Sequence, residues 1–197
     1  MPGGSSERYT MGNAARRRRQ GWIAHMLIGA ALGREAIRKL LAANPPLARN
    51  MPDPERQLQP NGLDITVESV WRLVSQGRLG TGDDRALPQR ISVPFRAYGW
   101  LHLDPGTYVI RFNEILHIPL DVMALGRPRS TLLRCGVSLH TAVWDAGYRG
   151  RSESLLVVHN PQGLRLRQNA RICQLVFFPV SFPSNGYNGY YQDENTT

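Results

Sequence analysis

The chain has 197 residues, of which 42% are hydrophobic, and this is enough for one substantial core but short for two ordinary domains. There is no run of about 18 apolar residues, no P-loop, no GxGxxG preceding a helix and no HExxH, which excludes membrane-spanning helices and the commonest nucleotide and zinc motifs. The formal net charge is +9 and Lys39 is the only lysine, so the positive charge is nearly all guanidinium, a group suited to bidentate phosphate contacts.

Residues 1–25 are rich in Gly, Ser, Asn and Arg and have no apolar periodicity, which predicts a flexible tail. The Arg16–Arg19 run also fits a basic arm for nucleic acid, but a charge run is more often solvated, and nucleic acid is not the partner we expect. We expect the folded domain to cover residues 26–182 and a second tail to cover residues 183–197.

The first predicted element is an amphipathic helix from Gly33 to Ala43, ended by Asn44-Pro45-Pro46. After it, short apolar or alternating stretches are separated by Gly, Pro, Asp and Asn, a pattern typical of a β-sandwich or barrel. We therefore expect an all-β fold with strands at 63–67, 91–95, 100–103, 107–111, 137–144, 153–158 and 171–178.

The two cysteines, Cys135 and Cys173, lie in apolar surroundings without CxxC or Cys/His metal spacing. They predict buried, reduced thiols and therefore a cytoplasmic protein.

Two segments carry groups suited to anions. In Gln59–Asp64 a turn delivers a carboxylate to the opening of a strand, although Asp at a turn often only caps it. In Gly126–Arg134 a guanidinium, a hydroxyl and backbone amides converge after Pro128, either on one phosphate or as an ordinary solvated loop.

Two further segments carry groups suited to hydrolysis. Asp145 follows an apolar strand and precedes a Gly-containing turn, so its carboxylate can deprotonate a water while Tyr148 offers a ring face to a sugar or base. A hairpin turn with a packed tyrosine is the alternative. Gln174 lies inside an apolar strand and demands a hydrogen-bond partner, either a ligand or a backbone group. The aromatic tail Tyr187–Gln192 is a candidate active-site lid, or a segment that docks on a neighbouring subunit.

Taken in order, these segments resemble the trimeric dUTPase and dCTP deaminase superfamily over about Met26 to Glu194, and most closely its archaeal-type dUTPases. Arg129 and Ser130 match the Arg-Ser of the second motif, and Asp145, Tyr148, Arg149 and Gly150 match the Asp-x-x-Tyr-Arg-Gly of the third. The fourth motif is Asn169–Leu175, with Asn169 in a place where the family has glycine and a left-handed turn.

The resemblance implies a jelly-roll-like distorted β-barrel, a homotrimer with sites at subunit interfaces, and Mg²⁺ held mainly by the triphosphate of dUTP without a direct protein ligand. It also implies roles. Asp145 would position the water that attacks the α-phosphorus, and Tyr148 would lie under the deoxyribose. The base would be read by Thr141, Ala142 and Val143, and phosphates would be bound by Arg129, Ser130 and Gln174. Tyr191 of the aromatic tail is a further candidate for substrate binding. Supporting roles would fall to Asp64, Arg134 and Arg149.

One position separates the two activities of the superfamily. Deaminases of this family need a glutamate ten residues beyond the third-motif aspartate, and this chain has Leu155 there, or Val157 if the strand end is used for counting. The nearest acid is Glu153, one strand period and about 7 Å away. We therefore expect dUTP hydrolysis to dUMP and pyrophosphate, with dCTP deamination, a bifunctional enzyme or a nucleotide-binding regulator as alternatives.

Overall fold

The computed structural model describes residues 30–181 and 185–196, so the predicted tail of residues 1–25 lies outside the described part. Its helices are α1 (Arg34–Leu41), α2 (Pro54–Gln57) and α3 (Ser130–Arg134), with a 3-10 turn at Ala97–Gly99. Its strands are β1 (Ala48–Arg49), β2 (Leu58–Gln59), β3 (Gly62–Leu73), β4 (Arg78–Leu79), β5 (Arg85–Ala86), β6 (Arg90–Ser92), β7 (Trp100–Leu103), β8 (Gly106–Phe112), β9 (Ile115–His117), β10 (Val122–Pro128), β11 (Val137–His140), β12 (Val143–Trp144), β13 (Arg149–Gly150), β14 (Glu153–Val158), β15 (Leu164–Arg167) and β16 (Arg171–Pro179). No helix within the described ranges is long and apolar enough to cross a membrane.

The predicted amphipathic helix is present as α1, two residues shorter at its end than expected. Its apolar face buries Ile37 completely, with Leu40 and Leu41 partly buried beside it. The backbone N–H of Arg34 donates to Pro60 O at 2.8 Å, which fixes the start of the helix against the β2–β3 turn. The short helices α2 and α3 were not predicted, because one turn of helix is too short to show a periodicity.

The main sheet runs β11-β14-β8-β3-β16-β10-β12, and β2 and β6 also pair with β3. A second sheet, β1-β9-β13, and the two-stranded pairs β15-β7 and β4-β5 complete the fold. The register of β3 shifts against both β8 and β16, and such bulges bend a strand and increase its twist. The sheet is curled accordingly, and the predicted all-β, jelly-roll-like class is confirmed.

The core lies inside this curled sheet and follows the period of two in its strands. In β14 the even-numbered residues are buried and the odd-numbered ones are half-buried on the outer face. Six of the largest side chains in the core are at most 1% exposed: Tyr108, Phe112, Phe177, Leu63, Ile65 and Leu156.

One carboxylate is buried in this interior. Glu114 follows β8 and is 0% exposed. Its Oε1 accepts hydrogen bonds from Gln57 Nε2 and Thr66 Oγ1, both at 2.7 Å, and its Oε2 accepts one from Thr66 N at 2.9 Å. Burial raises the pKa of Glu114, and these bonds oppose the rise. The network ties α2 to β3 at the point where β3 bends.

Three sequence interpretations need correction. The strand expected at 137–144 is two strands, because β11 pairs with β14 whereas β12 leaves to pair with β10. Strand β10 was missed, since Gly126 and Pro128 indicated a loop. Cys135 is exposed, because it caps the end of the one-turn helix α3, whereas Cys173 on β16 is buried as expected.

The predicted left-handed turn at Asn169 is present, with a φ of +63°. Asn113 Nδ2 donates to Asn169 Oδ1 at 3.0 Å, so the side chain that replaces glycine is also held in place.

Candidate active site

A cavity of about 830 Å³ lies beside the β12–β13 turn. Strand β14 forms one wall, and two other parts of the chain cover it. One is the arm, which we define as residues 74–89, and the other is the carboxy-terminal segment, residues 185–196. Five of the predicted site residues line this cavity: Ala142, Val143, Asp145, Tyr148 and Tyr191.

Asp145 is presented by a turn that is anchored at both ends. Before it, the Trp144 ring is buried and its Nε1 donates to Ser152 Oγ at 2.9 Å. After it, Gly147 adopts a φ of +82° and the Tyr148 N–H donates to Asp145 O at 3.1 Å. The Asp145 side chain is exposed at the cavity. A rigid turn therefore holds an accessible carboxylate, as general-base chemistry requires.

Tyr148 is buried, and its ring packs edge-on against Tyr187 with centroids 5.8 Å apart. Its hydroxyl donates to Glu194 Oε1 at 2.8 Å. Burial, and then the charge of Glu194, raise the pKa of Tyr148, so the phenol stays neutral and acts as a donor. Burial also raises the pKa of Glu194, and the nearby charge of Glu153 adds to the rise.

The carboxy-terminal segment is tied to the same turn by backbone and side-chain bonds. Glu194 forms a parallel bridge with Gly150, and Gln192 Nε2 donates to Gly147 O at 3.1 Å. Arg149 Nε forms an ion pair with the carboxylate of Asp193. Arg149, which was predicted as a supporting residue, therefore holds the carboxy-terminal segment against this turn.

The wall formed by β14 carries Leu155, at the position where the resemblance implies a glutamate in a deaminase. Leu155 pairs with Val109 and with His140 across the two neighbouring strands, and all three line the cavity. The pairing of β14 with β8 is continuous from Glu153 to Val158, so no bulge moves Glu153 toward the place of Leu155. Glu153 also lines the cavity, but it lies two residues along β14 from Leu155, a distance of about 7 Å in a strand.

Glu153 is held by cations. Its Oε2 accepts from Arg90 Nη1 at 2.7 Å and its Oε1 from Arg111 Nη2 at 3.1 Å. Arg90 begins β6 and brings the end of the arm to the cavity wall. The arm also meets the carboxy-terminal segment, because the Arg85 guanidinium lies 4.6 Å from the centroid of the Tyr190 ring.

A second polar cluster surrounds Asp64 on β3, which is 1% exposed. Its Oδ2 accepts from Arg129 Nε at 3.0 Å and from Arg171 Nη1 at 3.3 Å, and each guanidinium remains about a third exposed. Burial raises the pKa of Asp64, and the two arginines oppose the rise. Asp64 Oδ1 is buried with no hydrogen-bond partner among the described residues. One carboxylate thus faces two guanidiniums, and the cluster keeps an excess of positive charge.

Gln174 on β16 belongs to this second cluster, since it lies opposite Asp64 in the register and opposite Arg127 on the other side. Its side chain is only half-buried, so solvent can reach it. The hydrogen-bond partner inside the protein that the sequence predicted for Gln174 is therefore not required. Ser130, at the start of α3, and Arg134, at its end, are exposed.

The structure therefore divides the predicted site residues into two groups on either side of β10. Val143 of the cavity group pairs with Leu125, whereas Gln174 of the Asp64 cluster pairs with Arg127 two residues along the same strand. Thr141 bridges them weakly, with its Oγ1 donating to Gly126 O at 3.4 Å. The Asp64 cluster does not line the cavity of its own chain.

Sequence reasoning missed several residues of both groups. Arg171 stood inside the fourth motif, and its charge next to an apolar strand was a usable signal. Arg90 and Glu194 gave no such signal, because their partners Glu153 and Tyr148 are 63 and 46 residues away along the chain. Among residues 30–181 and 185–196, no three His, Cys, Asp or Glu side chains are grouped closely enough to hold a metal ion.

The curled β fold and the Asp-x-x-Tyr-Arg-Gly turn define a class of nucleotide enzymes. The chain belongs to the dCTP deaminase-like family, whose model matches residues 31–180. Within it, the chain is 48% identical over 169 residues to a protein of Methanosarcina mazei named probable deoxyuridine 5'-triphosphate nucleotidohydrolase, covering 85% of this chain and 99% of that one. A protein of the same name from Archaeoglobus fulgidus is 48% identical over 167 residues, covering 84% and 98%.

Among solved structures, the dCTP deaminase of Agrobacterium tumefaciens superposes with a TM-score of 0.60 at 20% identity. The match covers 78% of this chain and 49% of the deaminase chain, about half its length. At this identity the likeness establishes the fold.

Proposed function

We propose that the protein is a dUTP diphosphatase that hydrolyses dUTP to dUMP and pyrophosphate. The observation that carries the proposal is the cavity itself, in which one rigid turn presents Asp145 and Tyr148 while the apolar Leu155 fills the wall position where deamination needs an acid. The names of the archaeal relatives support the same activity.

In this mechanism Asp145 accepts a proton from a water molecule, whose oxygen bonds to the α-phosphorus of dUTP. The bond from the α-phosphorus to the bridging oxygen breaks, and pyrophosphate leaves with that oxygen. Tyr148 lies under the deoxyribose and leaves little room for a 2'-hydroxyl. Backbone groups of residues 141–143 read the base.

Mg²⁺ is the proposed cofactor, and when bound to the triphosphate it would neutralise the charge that develops on the leaving group. Magnesium is usually held by one or two carboxylates together with substrate phosphates, and it keeps several waters. The triphosphate would carry the ion without a direct protein ligand, and the open cavity beside Asp145 leaves space for it.

We propose a homotrimer as the active form. The Asp64 cluster supplies Arg129, Arg171 and Gln174 as phosphate donors, but it does not line the cavity of its own chain. A ring of three chains with head-to-tail contacts would bring the cluster of one chain to the cavity of the next. Tyr191 and the carboxy-terminal segment would then close over the bound nucleotide as a lid.

We place this activity in the cytoplasm. Both cysteines are free thiols, and the exposed Cys135 would persist unpaired in a reducing compartment.

The test is incubation of the purified protein with Mg²⁺ and either dUTP or dCTP, with products separated by chromatography. We expect dUMP and pyrophosphate from dUTP and no product from dCTP. Ammonia released from dCTP, and lost in Glu153→Gln, would show a deaminase instead.

A further inference from the structure

The outer face of the two-stranded ribbon β7–β15 carries a basic and aromatic surface away from the cavity. The register pairs Arg167 with Trp100 and Arg165 with His102, so these four side chains share one face. The residues between them are buried leucines, which fix the ribbon to the core. We call this surface, together with Arg96 and Tyr98, the ribbon face. It borders a second cavity of about 490 Å³, to which Arg96, Trp100 and Arg165 contribute together with one carboxylate, Asp104, whose Oδ1 lies 3.4 Å from His102 Nε2.

The guanidiniums of the ribbon face have no acidic partner. Arg165 and Arg167 lie 5.1 and 6.0 Å from the centroid of the Trp100 ring. Within residues 30–181 and 185–196, the side chains of Arg96, Arg165 and Arg167 form no ion pair and donate no hydrogen bond. The arginine that lines the dUTP cavity differs, since Arg90 is paired with Glu153. Three sets of N–H donors are thus free for an anion.

Two aromatic rings are exposed beside these donors. Tyr98 is 90% exposed and Trp100 is 38% exposed. Tyr98 also has a φ of +60°, a conformation that costs free energy for a residue other than glycine. Hydrophobic burial does not explain this ring, whereas a ligand with a flat face would.

Contrary to the expectation from the sequence that nucleic acid is not a partner, we propose that the ribbon face binds single-stranded nucleic acid, with phosphates on Arg96, Arg165 and Arg167 and a base stacked on the exposed ring of Tyr98. Guanidiniums beside exposed rings form the usual platform for unpaired bases, because every base has a π-face and every nucleotide a phosphate. Single strands fit better than duplex, since bases reach a ring only when they are unstacked. The site shares no lining residue with the dUTP cavity and is independent of the proposed hydrolysis.

The test measures fluorescence anisotropy of a labelled oligothymidylate of about 20 nucleotides, titrated with the full-length protein over a range of salt concentrations. Arg165→Gln/Arg167→Gln should weaken binding about tenfold or more and lower the salt slope by about 0.7 for each phosphate that the variant no longer neutralises. The matched control Arg38→Gln/Arg78→Gln removes the same charge elsewhere and should change binding less than about twofold. Tyr98→Ala should weaken binding with the salt slope unchanged, because stacking releases no counterions.

Four outcomes would overturn the proposal. The first two are equal weakening in the control variant and tighter binding of a duplex of the same length. The third is binding that survives both ribbon-face variants but is lost when Arg16–Arg19 are replaced by glutamines. The fourth is dissociation of the oligomer in the ribbon-face variants. The last would reassign the surface to an interface between chains. Circular dichroism of each variant checks that the fold is retained.

Discussion

The cavity and the Asp64 cluster lie on either side of β10 and differ in the charged groups that they present. The cavity is lined by three carboxylates, Asp145, Glu153 and Glu194, and its Arg90 is already paired. The Asp64 cluster has two part-exposed guanidiniums for one buried carboxylate. The exposed carboxylate of Asp145 suits the activation of water, whereas the two guanidiniums of the cluster suit phosphate. This difference supports the proposal that the cavity of one chain works together with the Asp64 cluster of a neighbouring chain.

The largest expected effect is at the cavity. Asp145→Asn keeps the size of the side chain but removes the base, so dUTP hydrolysis should fall about 100 to 10,000-fold. Binding of a non-hydrolysable dUTP analogue should persist, because the phosphate donors are elsewhere. Asp121→Asn, at another exposed aspartate, is the control and should retain full turnover. Near-normal hydrolysis by Asp145→Asn would show that Asp145 is not the general base.

The next effect concerns stability at the Asp64 cluster. Asp64→Asn leaves two guanidiniums without their buried anion, and we expect a loss of about 3 kcal/mol, the low end for a broken buried pair because both guanidiniums reach solvent. The exposed pair between Arg78 and Asp84 gives the contrast, and Asp84→Asn should cost less than about 1 kcal/mol. Urea denaturation midpoints measure both. Equal losses would mean that the Asp64 cluster is an ordinary surface pair.

A smaller effect distinguishes the ring of Tyr148 from its hydroxyl. Tyr148→Ala should lower the preference for dUTP over UTP about tenfold or more, because the space under the sugar then admits a 2'-hydroxyl. Tyr148→Phe keeps the ring and should retain the preference, although it removes the bond to Glu194. The ratio of kcat/KM for the two substrates is the measurement. An unchanged ratio in the alanine variant would exclude the ring from sugar selection.

The smallest effect is the pH dependence of tail docking. Because burial raises the pKa of Glu194 in the folded state, its protonated form favours docking, and this contribution is lost as the pH rises through the raised pKa. The pKa of Asp193 is lowered by its hydrogen bond from Arg149, so its contribution is lost only as the pH falls through that lowered value. When the pH rises above the range in which glutamate ordinarily titrates, hydrogen exchange of residues 187–196 should therefore become faster than in the Glu194→Gln variant at the same pH. A constant ratio across pH would show that Glu194 does not control the tail.

Much of the fold followed from the sequence, because alternation and turn residues act locally. The helix at α1, six of the seven strand regions and the left-handed turn at Asn169 were predictable in this way. Strand β10 was not, since Gly126 and Pro128 are turn formers that tertiary pairing overrides. The exposed Cys135 followed from a helix of a single turn that local sequence does not reveal.

The sequence singled out candidate site residues, whose roles stay predictions, but it did not show that the fold separates them into two groups. Short motifs identified Asp145, Tyr148, Arg129 and Gln174, because each sits beside a turn or strand with a recognisable pattern. Their separation into two groups depends on which strands flank β10, and that is a property of the sheet. The partners of Glu153 and Glu194 likewise depend on contacts across the fold.

The most direct test of this division is complementation between two inactive variants. Asp145→Asn lacks the base in its cavity, and Arg129→Gln lacks a phosphate donor in its Asp64 cluster. If each site combines the cavity of one chain with the cluster of the next, refolding equal amounts of the two together should restore about a quarter of the unmodified activity, because that fraction of sites receives both intact parts. A mixture no more active than the two variants measured separately would contradict the shared site.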